Sequence, residues 1–285
     1  MGLSSRTPST ADTYKFIPEI YSAKIESAVK DELVAWGCIN SSWQSELNKG
    51  DTLYIPKSNV VTATEVVVGT KGTSLNPFNT SQASISIDQW FEAPVDIGYM
   101  TKKQTQAAME AEAIEIAKFA IMERIDTTVC TLFSSLGGYS TSAYGTDGQS
   151  LTDDLLLALL QTLNEANVPK NDRFAVLDPS AVIDLLKIDK FISANYTNIG
   201  AVKNGNLGNS VYGFNVRETN NLVAATTGAY AVLMQKRAIG GAAQIMNSWR
   251  KEFEELHQTR YQSEALWGVA VVNNAFGIPF FTRHA

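Results

Sequence analysis

Residues 1–14 are polar and read as an arm. From Ile17 to Trp36, Ile20, Ile25, Val29, Leu33 and Trp36 recur at helical spacing, which predicts an amphipathic helix entered near Pro18. The period then changes. Thr52–Pro56 reads as a short strand closed by proline, and Val60–Val68 is a run of Val and Thr suited to a pleated surface. Gly69-Thr70-Lys71-Gly72 is a turn, and Ala83–Glu92 alternates apolar and polar positions as a return strand. Nine residues of strand reach about 30 Å. Such a ribbon is marginal in water by itself, so it must be covered, either by its own domain or by a neighbouring molecule.

Thr101 to about Leu136 carries the longest helical pattern, with Ile114, Ala117, Ile121, Ile125, Val129 and Leu132 in one stripe ended by Gly137-Gly138. Such a rod is about 50 Å long. A polar loop (139–150) leads to a helix over Leu151–Asn167, capped by Thr152 ahead of Asp153 and Asp154. Arg173–Leu177 reads as a buried strand, and Pro179 suits the first turn of a helix over Ser180–Ile188. After a Gly/Asn-rich loop (Asn195–Asn209), strands are expected at Val211–Glu218, Tyr230–Gln235, Trp267–Asn273 and Ile278–Phe281. Met246–Leu256 fits either a helix or a strand. Helices and strands are grouped rather than strictly alternating, so the class is α+β.

Composition adds limits. With 45% hydrophobic and 18% charged residues the chain holds enough apolar material for a core. A net charge of −6 disfavours a nucleic-acid-binding face. Two cysteines, Cys38 and Cys130, make no disulfide framework and suit a reducing compartment. There is no secretory h-region, and no apolar run nears the roughly 20 residues that span a bilayer.

Candidate chemistry is sparse. The two histidines, His257 and His284, belong to no metal or hydrolase motif, so no metal, cofactor or catalytic residue is assigned. Cys130, on the long helix, reads as a buried thiol rather than a nucleophile. Asp178 reads as the residue that starts the turn before Pro179, and as a general base only on the loosest view. Glu252, Glu254 and Glu255 sit among Arg250, Lys251 and Arg260 as a solvated or intersubunit charged face.

The order of segments is the informative signal. It runs FIPEIYSAKIESAVKDELV, a hairpin after GDTLYIP, FEAPVDIGYM into one long helix, VPKNDRFAVLDPSAVIDLL, GNSVYGFNVRETNNL and WGVAVVNNAFGIPFF. A strand entry carries Pro169, Arg173, Val176 and Pro179; a second strand carries Gly213, Phe214 and Val216 after Gly208. In this succession the chain resembles, over nearly its whole length, a tailed-bacteriophage major capsid protein of the HK97 fold.

The resemblance implies an N-terminal arm and helix (1–47), an extended β-hairpin loop (48–95), a peripheral domain with the spine helix (96–142 and 246–285) and an axial domain (143–245). No scaffolding segment fused ahead of residue 14 is expected. It implies no enzymatic activity and no cofactor. The implied partners are other copies of the chain, in hexamers and pentamers of an icosahedral head, with portal and scaffolding proteins. Double-stranded DNA would be enclosed without specific binding, with no membrane involved. The location is the virion capsid, assembled in the host cytoplasm. Subunit-interface residues on the loop would be Val66, Val67, Lys71, Phe78, Trp90 and Phe91, whose apolar and aromatic surface suits burial on a neighbour. Lys71 at the tip is the residue type that joins subunits by an isopeptide bond in some family members; the sequence identifies no partner Asn. Three alternatives stay open: an encapsulin-type nanocompartment shell of the same fold, a soluble α+β enzyme with a β-hairpin lid, and a tail or neck component.

Overall fold

The structure is a computed structural model that describes residues 34–43, 52–58, 63, 65, 80–104, 109–137, 143–188 and 211–284. The expected helix over Ile17–Trp36, the Val60–Val68 strand and the Asn195–Asn209 loop fall wholly or mainly outside these residues. In chain order the elements are β1 (Thr52–Ser58), β2 (Thr80–Ser86), β3 (Gln89–Gly98), α1 (Tyr99–Gln104), α2 (Met109–Thr131), α3 (Asp153–Glu165), β4 (Arg173–Leu177), α4 (Pro179–Leu186), β5 (Asn215–Glu218), β6 (Gly228–Gln235), β7 (Ile239–Phe253), β8 (Gln258–Val271) and β9 (Gly277–Arg283).

Three sheets organise the chain: a β1-β2 ribbon, a three-stranded sheet β3-β8-β7, and a four-stranded sheet β5-β4-β6-β9. The pairings are antiparallel except β4 with β5. The long helix α2 lies across the three-stranded sheet. Its inner face buries Ala113, Ala117, Ile121, Ile125 and Val129, at the four-residue steps that keep one side of a helix turned inward. Ile121 and Ile125 pack with Trp267 and Ala265 of β8. The expected rod over Thr101–Leu136 is shorter at its far end, where α2 stops at Thr131 and Phe133–Ser135 is a 3-10 turn; residues 105–108 lie outside the described residues.

The four-stranded sheet is backed by α3 and α4, whose Leu159, Leu163 and Leu185 are fully buried against Leu177, Leu233 and Phe280. The caps follow the sequence. Thr152 Oγ1 accepts from Leu155 N–H at 3.4 Å, and Asp178 accepts from Ser180 N–H at 3.1 Å with Pro179 in the first turn of α4. The C-terminal strand β9 pairs with β6 in this sheet, so residues 277–283 join the layer built mainly from residues 151–235 rather than the sheet that carries α2.

The proline-bounded strand entry and the glycine-bearing second motif converge. Arg173 is 3% exposed and donates to Pro169 O (2.9 Å), Val168 O (2.7 Å) and Asn164 Oδ1 (3.0 Å), which closes the end of α3, while its guanidinium lies 5.6 Å from the Phe214 ring. Burial among neutral acceptors lowers the pKa of this group. Arg173→Met leaves the buried Val168 carbonyl and the partly exposed Pro169 carbonyl without this donor. It should cost about 2–3 kcal/mol, read as a lower midpoint in urea unfolding.

One expectation is corrected and one open reading is decided. The run Ala83–Glu92 is not one strand. Thr80–Ser86 pairs with β1, the chain breaks at Ile87-Asp88, and Gln89–Gly98 pairs with β8. The crossing is possible because Gly268 lies beneath it: a Cβ there would overlap the Ser86 carbonyl oxygen. Of Met246–Leu256, read as either type, Glu254–Leu256 is a 3-10 turn and Met246–Phe253 belongs to a 15-residue strand starting at Ile239. Its first half, Gly240-Gly241-Ala242-Ala243, is small because both faces are covered. A Cβ on Gly241 would press on Ile39 and Trp36, and one on Gly240 on Ile85 and Trp43.

Candidate assembly surface

The root of the ribbon is held by its own subunit. β1 and β2 register Leu53 with Ile85, Ile55 with Ala83 and Lys57 with Ser81, so these side chains share one face. Ile85 is 0% exposed and Ile55 8%, packed with Val272, Trp43 and Ala270. The Lys57 ammonium donates to the Val272 carbonyl. The opposite face is open, with Tyr54 60% exposed. A ribbon dependent throughout on a neighbour is therefore not what the structure has. Its root is part of the body, and the chain leaves it at Ser58 and returns at Thr80.

Of the residues assigned to the interface, Val66, Val67, Lys71 and Phe78 lie outside the described residues. Trp90 and Phe91 are adjacent on β3 and so point to opposite faces. Trp90 is 70% exposed on the outer face of the three-stranded sheet. Phe91 is turned inward, 5.4 Å from the Trp267 ring and 4.8 Å from the Arg124 guanidinium. The structure therefore places Trp90 at the surface and fits Phe91 into the contact between sheet and helix.

The outer face of that sheet continues past Trp90 through residues that sequence reading did not single out. Arg260 donates two bonds to Asp96, at 2.7 and 2.8 Å, and stands 5.1 Å from the Phe253 ring; Lys251 is 5.3 Å from the same ring. The hydrogen-bonded Arg260 guanidinium beside Asp96 holds its carboxyl below the ordinary range. The hairpin between β7 and β8 ends in exposed Glu254, Glu255 and Leu256, with His257 in the left-handed region at φ 51°. Beside it Met100 is 73% exposed, and His257 O accepts from Tyr99 N–H. Alternation of Trp249, Lys251 and Phe253 was the signal that would have identified this strand and its outward face.

The other titratable groups make contacts within the fold. Ser180 Oγ donates to Asp178 Oδ2 at 2.6 Å and lies against the Arg283 carbonyl, while His284 Nδ1 meets Asp178 Oδ1 at 3.0 Å. The serine faces the carboxylate and not the imidazole, so the trio lacks the nucleophile-to-base bond that acyl transfer needs. Asp178 and Asp184 instead tie down the end of β9, Asp184 through Arg283 at 3.0 Å. Cys38 and Cys130 are buried, and desolvation raises both thiols, Cys38 to about 12, far from the depressed values of reactive cysteines. Among the described residues no cluster of His, Cys, Asp and Glu has metal-ligand geometry, and no helix is long and apolar enough to cross a membrane.

Asp126, 1% exposed on α2, accepts N–H bonds from Ala35 (2.7 Å) and Trp36 (3.1 Å) and one from Asn221 Nδ2 (3.4 Å). It joins the N-terminal segment, the long helix and the loop after β5. Burial raises its pKa, the N–H bonds opposing. A raised carboxyl binds its proton more tightly folded than unfolded. Its contribution is therefore most favourable at acid pH and falls as pH rises from about 4 through the raised value. The melting temperature of Asp126→Asn relative to the wild type should move upward between pH about 4 and about 7, followed by differential scanning fluorimetry.

The same overall architecture is found in solved structures. A chain from Mycobacterium phage Che8 superposes with a TM-score of 0.79 at 20% identity, covering 95% of this chain and 98% of that one. A chain of the capsid of Cyanophage P-SCSP1u gives 0.74 at 15% identity (99% and 100% covered), and one of the Ralstonia phage GP4 capsid gives 0.64 at 14% (99% and 99%). The architecture is the HK97-like α+β fold of phage capsid subunits. Residues 101–262 match the family model described as phage capsid protein, and the chain belongs to that family. No curated protein sequence matches the chain. It is a structural major capsid protein, a component of the virion capsid, and its subunits assemble with each other.

Proposed function

We propose that this capsid protein closes an icosahedral head from hexamers and pentamers, with residues 59–79 lying on the adjacent subunit. The observation that carries the reading is the ribbon's root: Ile55 and Ile85 clamp it to the body while both strands leave together at Ser58 and Thr80. An arm held so firmly at its base delivers its tip in one direction at little entropic cost, which favours association. About ten residues in each direction reach roughly 30 Å, enough to lie across a neighbour.

In this reading α2 and the three-stranded sheet form the peripheral domain, and the four-stranded sheet gathers about the hexamer and pentamer centres. Val66, Val67, Lys71, Phe78 and Trp90 contact neighbours, and Phe91 supports them from inside. Portal and scaffolding proteins set size and vertex, and assembly runs in the host cytoplasm. The role is enclosure without catalysis. A net charge of −6 suits a container that does not grip packaged double-stranded DNA.

Electron microscopy of the overexpressed, purified chain tests this: closed shells are expected, and a solitary molecule would overturn it. Shells filled with a cargo protein in place of DNA in the native host would mark a nanocompartment. Trp90→Glu should leave the melting curve within about 0.5 kcal/mol, as for other surface changes, and reduce shell yield in sedimentation.

A further inference from the structure

The sheet that carries α2 is ordered β3-β8-β7, so β3 and β7 are its edges. The two edges are unlike. On β3, Trp90 stands 70% exposed on the outer face. Tryptophan is among the side chains enriched at the anchors of subunit contacts. Asp88 and Glu92 flank it, both exposed, and Glu92 registers with Glu264 on β8, so its surround is acidic.

Beside β7, on the inner face, α2 and the sheet do not close. A cleft of about 180 Å³ lies between Lys118, Ile121 and Met122 of the helix and Ser248, Ser263 and Ala265 of the strands. A cavity of about 150 Å³ holds benzene, so this one has room for an indole ring. Its lining is apolar at Ile121, Met122 and Ala265. The paired hydroxyls of Ser248 and Ser263, 2.9 Å apart, offer an acceptor for an indole N–H. Lys118 is exposed at the rim. Glu264 also borders the cleft, but it alternates with Ser263 and Ala265 and turns its side chain to the outer face.

Knob and cleft cannot meet within one subunit, because they sit on opposite edges and opposite faces of one sheet. Between two copies they can. The β3 edge of one copy passes beneath the β7 edge of the next, outer face against inner face, like overlapping tiles. Trp90 registers with Leu266, and Leu266 with Ile245, so the knob and the cleft at Ser248 lie at nearly the same level across the sheet. Donor and acceptor are different surfaces, so the contact is heterologous and repeats around a ring.

We propose that Trp90 of one copy fills the Lys118–Ser248 cleft of the next, with Asp88 and Glu92 of the first facing Lys118 of the second. This rests on the reading that copies close into hexamers and pentamers, and it names the anchor of that ring.

The test uses the full chain. Shells of a variant carrying both Glu92→Cys and Lys118→Cys, treated with a short bismaleimide, should give a denaturing-gel ladder that rises to five and six chains; Cys38 and Cys130 are buried and stay silent. Either substitution alone should give single chains. In sedimentation, Trp90→Ala should weaken the pairwise constant about thirty-fold. Ser248→Trp, which fills the cleft from its own subunit, should do the same with an unchanged melting temperature, and the two together should lose no more than one. Additive losses would overturn the proposal. Shells that give no ladder, or that cross-link through Glu92→Cys alone, would overturn this contact and leave the shell reading standing. So would shells in which Lys118→Cys joins Lys71→Cys, which would put the ribbon tip in the cleft. Chains that stay solitary would overturn both.

Discussion

Excising residues 59–79 and joining Ser58 to Thr80 by a short Gly/Ser link leaves a folded subunit that forms no shells. The strands left behind keep all of their packing: Ile55 and Ile85 stay on Val272 and Trp43, and the register from Thr52 with Ser86 to Ser58 with Thr80 is untouched. Shortening a connection changes loop-closure entropy by under about 1 kcal/mol, so the melting temperature should move by only a few degrees. Assembly is different. Loss of even about 200 Å² of apolar contact per neighbour removes about 5 kcal/mol, more than a thousand-fold in each pairwise constant. A closed shell repeats that contact at every subunit. Sedimentation read beside thermal melting separates the two effects; normal shells from the shortened chain would end the ribbon's role. A wider excision, Val60–Ile85, would be uninformative, because it removes the fully buried Ile85 and mixes misfolding with failed assembly.

Trp267→Ala is expected to be the most damaging single core change, at about 3–5 kcal/mol. Trp267 is 0% exposed at the centre of the contact between α2 and its sheet, touching Phe91 and packing with Ile121, Ile125, Ala243 and Ala265. Its cavity would open where helix and strands both lean, leaving little freedom to collapse. Trp267→Phe should cost much less. It keeps most of the volume, and the indole Nε1 it removes is buried with no hydrogen-bond partner among the described residues. Chemical denaturation of the two variants orders them, and equal losses would mean that volume is not what this site supplies.

Local chemistry predicted some of this architecture well. Thr152, Asp178 and Pro179 begin helices where capping and fixed φ lead one to expect them. The stripe on α2 is buried along Ala117, Ile121, Ile125 and Val129. β4 lies at Arg173–Leu177 as its proline and aspartate boundaries imply. β7 was missed in its first half for a physical reason. Gly240 to Ala243 are covered on both faces, so no alternation exists to be read, and only the later Trp249, Lys251, Phe253 stretch has a solvent side. Which of two neighbouring aromatics faces outward was less legible still. Trp90 and Phe91 look equivalent as neighbouring aromatics, yet one faces solvent and the other Trp267.

By itself, then, the order of residues determined several of the helices and strands, where those helices start, and that a ribbon needing cover precedes a long apolar helix. Those are short-range matters, settled by capping, period and turn chemistry within a few residues. Only the tertiary structure decided that the ribbon's root rests on its own sheet, that Arg173 closes α3 while meeting Phe214, and that β9 returns to β6. Each of these joins residues far apart in the chain, and what selects them is the filling of shared volume and the pairing of buried polar groups, which no local pattern records.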